Sequence, residues 1–184
     1  LCNHLLWALS DHDGSYFEDT LTYICMHDSE GAFGIVINRP LPLKLNQVLK
    51  QAELPHENAP DTWVLEGGPV MQHVPFILHS DDITAETSIN LQDGLALTGD
   101  SDRGEVYQLL TKIARGEGPA KFRFALGYAG WGGGQLEGEL NRNVWLTCPS
   151  RPAIVFEEAP ERQMEIVTDL VGFDVRTLSP GGEA

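Results

Sequence analysis

Cys25 and His27 are the pair of residues best suited to covalent chemistry, because an imidazole beside a thiol can generate a thiolate nucleophile. They stand two positions apart in a run typical of a strand, and alternate side chains on a strand share one face. The two could therefore lie together. The pattern supplies no third group to orient the imidazole, so a buried core cysteine is the simpler interpretation and the pair is a weak thiol candidate.

The segment from Gly127 to Glu137 is the most unusual in the chain, with glycine at five of its first eight positions. A Trp among so many glycines predicts a shaped, adaptable surface, and a helix that begins after them would favour an anion. The alternative is a tight strand-to-helix connection in which the Trp is a buried plug. The ligand-binding candidates here are Gly127, Tyr128, Gly130, Trp131, Gln135 and Glu137.

Asn38 and Arg39 form a second candidate, where a strand ends at Pro40. Arg39 is the only basic residue among the first 43, and its planar fork could clamp a carboxylate or phosphate. A structural ion pair explains it equally well. Gly67 and Gly68 suggest a turn where backbone approaches backbone.

His79, at the end of a further apolar run, could act near neutral pH or could bond a buried carbonyl. His and Cys show no paired zinc-ligand spacing, so no metal site is expected, and no cofactor motif is present.

The charge is the strongest compositional feature: 12 Lys and Arg face 27 Asp and Glu, a formal net charge of −15. Proteins bind DNA by placing Lys and Arg on phosphates, so direct nucleic-acid binding is not expected. No apolar run is long enough to span a membrane. Three widely separated cysteines indicate a reducing, cytoplasmic location rather than a disulfide framework.

The 184 residues suit a single compact domain, 1–184. Strand patterns interrupted by three or four helices, without strict alternation, predict an α+β fold with a mixed, mainly antiparallel sheet. A doubly wound α/β fold is the alternative. Strands are predicted at 21–26, 32–37, 62–66, 75–79, 87–91, 95–98, 121–129, 144–147 and 153–156, and helices at 45–52, after an N-cap at Ser101, at 135–140 and at 160–171.

Several of these segments together resemble the AlgH/YqgE family of bacterial proteins. The resemblance rests on the runs YICMH (23–27), GAFGIVINRP (31–40), GGPV (67–70), ILH (77–79), GYAGW (127–131), GQLE (134–137) and NVWL (143–146). It implies a cytosolic α+β protein of the kind described as a candidate transcriptional regulator. The family brings no agreed reaction, cofactor or ligand.

This chain departs from the family's pattern after the first strand, where Met-Pro is usual and residues 10–14 read Ser-Asp-His-Asp-Gly. A site built on that loop could be altered.

Two functions follow as hypotheses. The first is a regulatory binding module for a small anionic ligand or a partner protein, acting on transcription indirectly if at all. The second is an enzyme of unrecognised type, a hydrolase or a thiol-dependent catalyst. The sequence leaves the oligomeric state open.

Overall fold

The computed structural model describes residues 1–8, 15–99, 104–157 and 159–172. The chain there forms an α+β domain with a curled, mainly antiparallel sheet, which confirms the predicted fold class. The strands are β1 (His4–Ala8), β2 (Leu21–Asp28), β3 (Gly31–Val36), β4 (Pro40–Lys44), β5 (Trp63–Glu66), β6 (Val70–Ser80), β7 (Ile89–Asn90), β8 (Leu95–Gly99), β9 (Phe122–Gly132) and β10 (Trp145–Pro149). The helices are α1 (Leu45–Gln51), α2 (Glu105–Ala114), α3 (Gln135–Asn141), α4 (Pro152–Val155) and α5 (Pro160–Val171).

Strand β9 joins the two halves of the sheet. The strand order is β10-β1-β2-β3-β9-β6-β8-β7, with β5 beside β9 and β4 beside β5. The first part of β9 pairs with β6 and, in parallel, with β5, whereas its last residues, Ala129 to Gly132, pair with β3. The β5–β9 pair is the parallel one among the described strands, so the doubly wound alternative is wrong.

Alternation along the strands divides the core into three clusters. The largest lies inside the curl, where Leu5, Tyr23 and Ile35 meet α4 and α5. A second packs α1 and α2 against the outer face of β5, β6 and β9. The third buries the other faces of β1 and β2 beneath α3 and includes two tryptophans, Trp131 and Trp145.

Two strand predictions differ from the structure. The run 153–156, predicted as a strand, forms α4 instead, because Pro152 occupies its first turn and starts the helix. A strand was expected to end at Pro40, yet Pro40 begins a further strand, β4. Pro40 is accommodated because β4 pairs on one side only, with β5, and an edge strand tolerates a missing N–H.

Two smaller differences concern helices. The expected N-cap Ser101 lies outside the described residues, and α2 begins after Gly104. Five helices are present among the described residues rather than three or four, because α4 adds one short turn.

The junction in β9 depends on glycine. Gly127 has φ +79°, and a Cβ there would lie 2.5 Å from the carbonyl oxygen of Gly68. A Cβ on Gly67 would lie 2.4 Å from the carbonyl oxygen of Gly127. The chain between β5 and β6 therefore touches β9 backbone to backbone, as the glycine pattern indicated.

We expect Gly127→Ala to lower the free energy of unfolding by at least about 2 kcal/mol, since it combines a left-handed φ with a steric clash. Gly138→Ala is the matched control. A Cβ there meets nothing within 4 Å inside α3, so this change should raise stability by roughly 0.5–1 kcal/mol. Urea denaturation measures both, and equal stability of the two variants would contradict the role given to Gly127.

Candidate functional site

A cluster of three aromatic rings forms one wall of a recess that contains several of the sequence candidates. Phe17 lies with its ring 6.2 Å from Trp131 and 5.4 Å from Trp145, and the two indoles meet edge to face at 5.9 Å. Trp131 comes from the end of β9 and Trp145 from the start of β10, and each is 6% exposed. The rings therefore form a solid wall rather than an open cage.

Glu139 on α3 holds this wall in place. Its Oε2 accepts the indole N–H of Trp131 at 2.9 Å and that of Trp145 at 2.8 Å. Its Oε1 accepts from the side-chain amide of Gln135 at 3.0 Å, and Gln135 in turn accepts the backbone N–H of Gly132 at 3.0 Å. Three donors thus compensate one carboxylate, which is what a partly buried charge requires.

The recess above this wall has a volume of about 370 Å³. Its lining residues are Ser15, Phe17, Gly130, Trp131, Gln135, Glu139, Arg142, Val144 and Trp145. Arg142 follows the last turn of α3, is exposed, and has no side-chain partner within the described part of the chain. The recess therefore combines apolar ring surface, one engaged carboxylate and one available guanidinium.

Three of the predicted residues meet here: Gly130, Trp131 and Gln135. Glu137 belongs to the same helix but accepts from His27 Nε2 at 2.8 Å on an exposed surface. A hydrogen bond from its own backbone and then His27 lower the pKa of Glu137. Helix α3 has only seven residues and carries acidic side chains. Its N-terminus therefore attracts an anion only weakly.

Arg39 does not line the recess, and acts on it through a neighbouring segment. Its guanidinium donates to the backbone oxygen of Tyr16 at 2.7 Å and that of Glu18 at 3.3 Å, and it lies 4.7 Å from the Tyr16 ring centre. Burial and the carboxylate of Glu66 raise the pKa of Tyr16 to about 12, so the phenol stays neutral. Arg39 is therefore used to hold the segment that carries Phe17.

Asn38 holds the same segment from its other end. It accepts the backbone N–H of Leu21 at 2.8 Å and donates to the carbonyl of Asp19 at 2.8 Å. It also lines a second recess of about 670 Å³ beside α5. Four carboxylates surround that recess, from Asp19, Glu161, Glu165 and Asp169, and this charge opposes an anionic ligand.

The remaining glycine and aromatic candidates lie elsewhere. Gly67, Gly68 and Gly127 form the backbone contact described above. Tyr128 stacks on Phe33 at 4.7 Å inside the curl of the sheet, on the opposite face from Trp131.

His79 is fully buried and serves the fold. Its Nδ1 bonds the carbonyl of Ser80 at 2.8 Å, and its Nε2 bonds the hydroxyl of Thr98 at 2.8 Å. A carbonyl can only accept, so Nδ1 carries the proton and Nε2 accepts. The Thr98 hydroxyl is itself 2.7 Å from that of Ser88. Burial lowers the pKa of His79, which keeps the imidazole neutral.

Comparison with known proteins agrees with this architecture. A family model described as AlgH-like, DUF179, matches residues 5–176. UPF0301 proteins of Methylococcus capsulatus and Thiobacillus denitrificans are 41% and 38% identical over 97% of this chain, and cover 93% and 94% of their own lengths. The chain belongs to the AlgH-like family.

Solved structures show the same fold. The solution structure of AlgH from Pseudomonas aeruginosa superposes with a TM-score of 0.76 at 37% identity, covering 99% of this chain and 95% of that one. A Corynebacterium diphtheriae protein reaches a TM-score of 0.66 at 18% identity, covering 90% and 86% of the two chains, and shows the fold alone.

In this AlgH-like chain Cys25 is a buried core residue, the simpler of the two interpretations, and it does not share a face with His27. A bulge in β2 shifts the register between Ile24 and Met26. Beyond it Met26 faces the curl with Phe33, and His27 pairs with Ala32 on the α3 side. Cys25 stays inside the curl, so the thiol and the imidazole lie on opposite faces of the sheet.

A metal cluster and a membrane-spanning helix each place requirements on the described ranges. No group of three or more His, Cys, Asp or Glu residues there is placed to hold a metal ion. None of the helices described is both long and apolar enough to cross a bilayer.

Sequence reasoning missed Phe17, Glu139, Arg142 and Trp145. Glu139 carried a usable signal, because it follows Gln135 by four positions and such residues are neighbours on a helix. Phe17 and Trp145 carried none, since Phe17 reaches the recess from the turn before β2 and Trp145 from β10.

Replacing Glu139 by Gln should lower the free energy of unfolding by about 1–3 kcal/mol, because an amide cannot accept from all three N–H donors. Urea denaturation measures the loss, and the indole N–H resonances of Trp131 and Trp145 should both move. Glu137→Gln alters an exposed carboxylate two positions away and should leave stability and both resonances nearly unchanged. Unmoved indole resonances in Glu139→Gln would contradict the geometry.

Thiol reagents should distinguish the three cysteines. Burial raises the pKa of Cys25 and raises that of Cys148 to about 11, so both remain thiols at pH 8. Only the half-exposed Cys2 should react quickly with Ellman's reagent, and Cys2→Ser should abolish the fast phase. Denaturant should then release the other two. Rapid reaction of Cys25 in the folded protein would support the hypothesis of a thiol-dependent enzyme.

Proposed function

We propose that this chain is a regulatory binding module whose recess at Trp131 takes a small anionic ligand with a flat apolar portion. The observation that carries the proposal is the available guanidinium of Arg142 beside the ring wall of Phe17, Trp131 and Trp145. Small-molecule sites of roughly 300–1,000 Å³ typically combine apolar walls with a few polar groups, and this recess fits that description.

The charges of the recess favour an anion. Glu139 is its only acidic lining residue among those described, and both carboxylate oxygens already accept N–H groups. A guanidinium binds carboxylate or phosphate through two parallel hydrogen bonds, whereas a cationic ligand would meet Arg142 directly. The aromatic surface would accept the face or edge of a flat group.

An effect on transcription would run through a protein partner rather than through DNA. With a net charge of −15, the chain would be repelled by nucleic acid at long range. A cytoplasmic location remains the expectation that accompanies this role.

A hydrolase or thiol-dependent enzyme remains the alternative. Its thiol form has little geometric support, because Cys25 is buried and His27 lies on the other face of the sheet. No observation among the described residues favours a specific hydrolytic group.

Titration with AMP and with phenyl phosphate tests the proposal. Either probe should quench Trp fluorescence saturably and shift the indole N–H resonance of Trp131. Arg142→Gln should weaken binding about tenfold or more, as expected for a lost charge-assisted pair.

Arg115→Gln is the matched control, since Arg115 is an exposed arginine at the end of α2 and lies outside the recess lining. It should bind like the unmodified protein. Saturable binding that Arg142→Gln leaves unchanged would assign the ligand to another site. If neither probe changes the fluorescence or the indole resonance, this ligand class is rejected. A protein partner is then the remaining candidate, and a pull-down tests it.

A further inference from the structure

A separate recess lies between the C-terminal end of α2 and the start of β9. Its volume is about 530 Å³, within the roughly 300–1,000 Å³ typical of small-molecule sites. Ile113, Pro119, Phe122 and Phe156 supply apolar walls. It shares no lining residue with the recess at Trp131.

Thr62 gives this recess an unused hydrogen-bonding group. The residue is 4% exposed and lines the recess, and its hydroxyl has no hydrogen-bond partner within the described part of the chain. Its backbone groups are occupied, by the carbonyl of Pro60 and the N–H of Leu45. Buried hydroxyls normally find a partner, so a ligand atom held in the adjoining recess would complete the hydrogen bonding of Thr62.

Lys121 is the only ionisable residue among the described residues that line the recess. The described lining of this recess carries one lysine and no carboxylate, and the carboxylate of Asp82 beside it already accepts from the Ser80 hydroxyl and the N–H of Ala120. The loop before Lys121 is held in place, because Asp82 accepts the N–H of Ala120 at 3.0 Å and Ser80 accepts that of Lys121 at 3.0 Å. The backbone that carries the exposed Lys121 side chain is therefore anchored at the rim of the recess.

We propose that this recess is a second binding site, for a small carboxylic acid with a compact apolar body. The apolar body lies against Ile113, Phe122 and Phe156. The carboxylate pairs with the Lys121 ammonium and accepts a hydrogen bond from the Thr62 hydroxyl. This arrangement uses the one cation and the one unpartnered hydroxyl found among the described lining residues.

Titrations of the full chain with benzoate and with its neutral counterpart benzamide test this inference. Binding is monitored by the backbone amide resonances in NMR spectra. Benzoate should shift the amides of Gly116, Gly118 and Lys121 saturably, and benzamide should bind at least about fivefold more weakly, because it lacks the charge. Lys121→Gln should weaken benzoate binding roughly tenfold. Thr62→Val should weaken it severalfold while the protein stays folded, since valine has nearly the shape of threonine and removes the orphan hydroxyl.

Lys112→Gln is the control, because Lys112 is exposed on α2 and lies outside the lining. It should leave benzoate affinity unchanged. The inference is overturned if benzoate produces no saturable shift at 10 mM, a concentration on the order of ten times a millimolar dissociation constant, or if Lys121→Gln and Thr62→Val both bind normally. Shifts confined to the indole of Trp131 would overturn it as well, and would support the recess at Trp131 instead.

Discussion

The close backbone contact between Gly67–Gly68 and Gly127 is the constraint on which the rest of the structure depends. Gly67 donates its N–H to the carbonyl of Leu126 at 2.8 Å and accepts the N–H of Val36 at 2.8 Å. One residue thus ties β3 to β9 at the point where β9 passes from one half of the sheet to the other. No side chain fits between these backbones, because a Cβ on either strand would overlap a carbonyl.

The junction also determines which aromatic residues face which core. After Gly127, Tyr128 turns into the curl and stacks on Phe33, whereas Trp131 points to α3 and meets Trp145. The indole N–H groups then need an acceptor in a partly buried setting, and Glu139 supplies it. The recess therefore follows from the sheet geometry. The first role of the Glu139 carboxylate is to hold the two indoles in place.

Positively charged side chains are scarce in this protein. Some of them hold the fold together, whereas others are exposed beside a recess. Arg39 looked like a ligand clamp because it stands alone in the first 43 residues, but its guanidinium binds the carbonyls of Tyr16 and Glu18. Arg142 and Lys121 are exposed and each borders a recess. The two proposed anion sites therefore lie at these positions rather than at Arg39, whose guanidinium is already hydrogen-bonded.

The sequence by itself determined the family, the α+β class and most strands and helices, since hydrophobic periodicity and turn residues act over a few neighbouring positions. It also indicated that Trp131 and Gln135 belong together, because one short connection joins them. Only the tertiary structure decided that Cys25 and His27 face apart, because a single bulge residue reverses the alternation of a strand. Likewise, Phe17 and Trp145 meet Trp131 only when β1, β2, β3, β9 and β10 pair, and no pattern in neighbouring residues predicts that pairing.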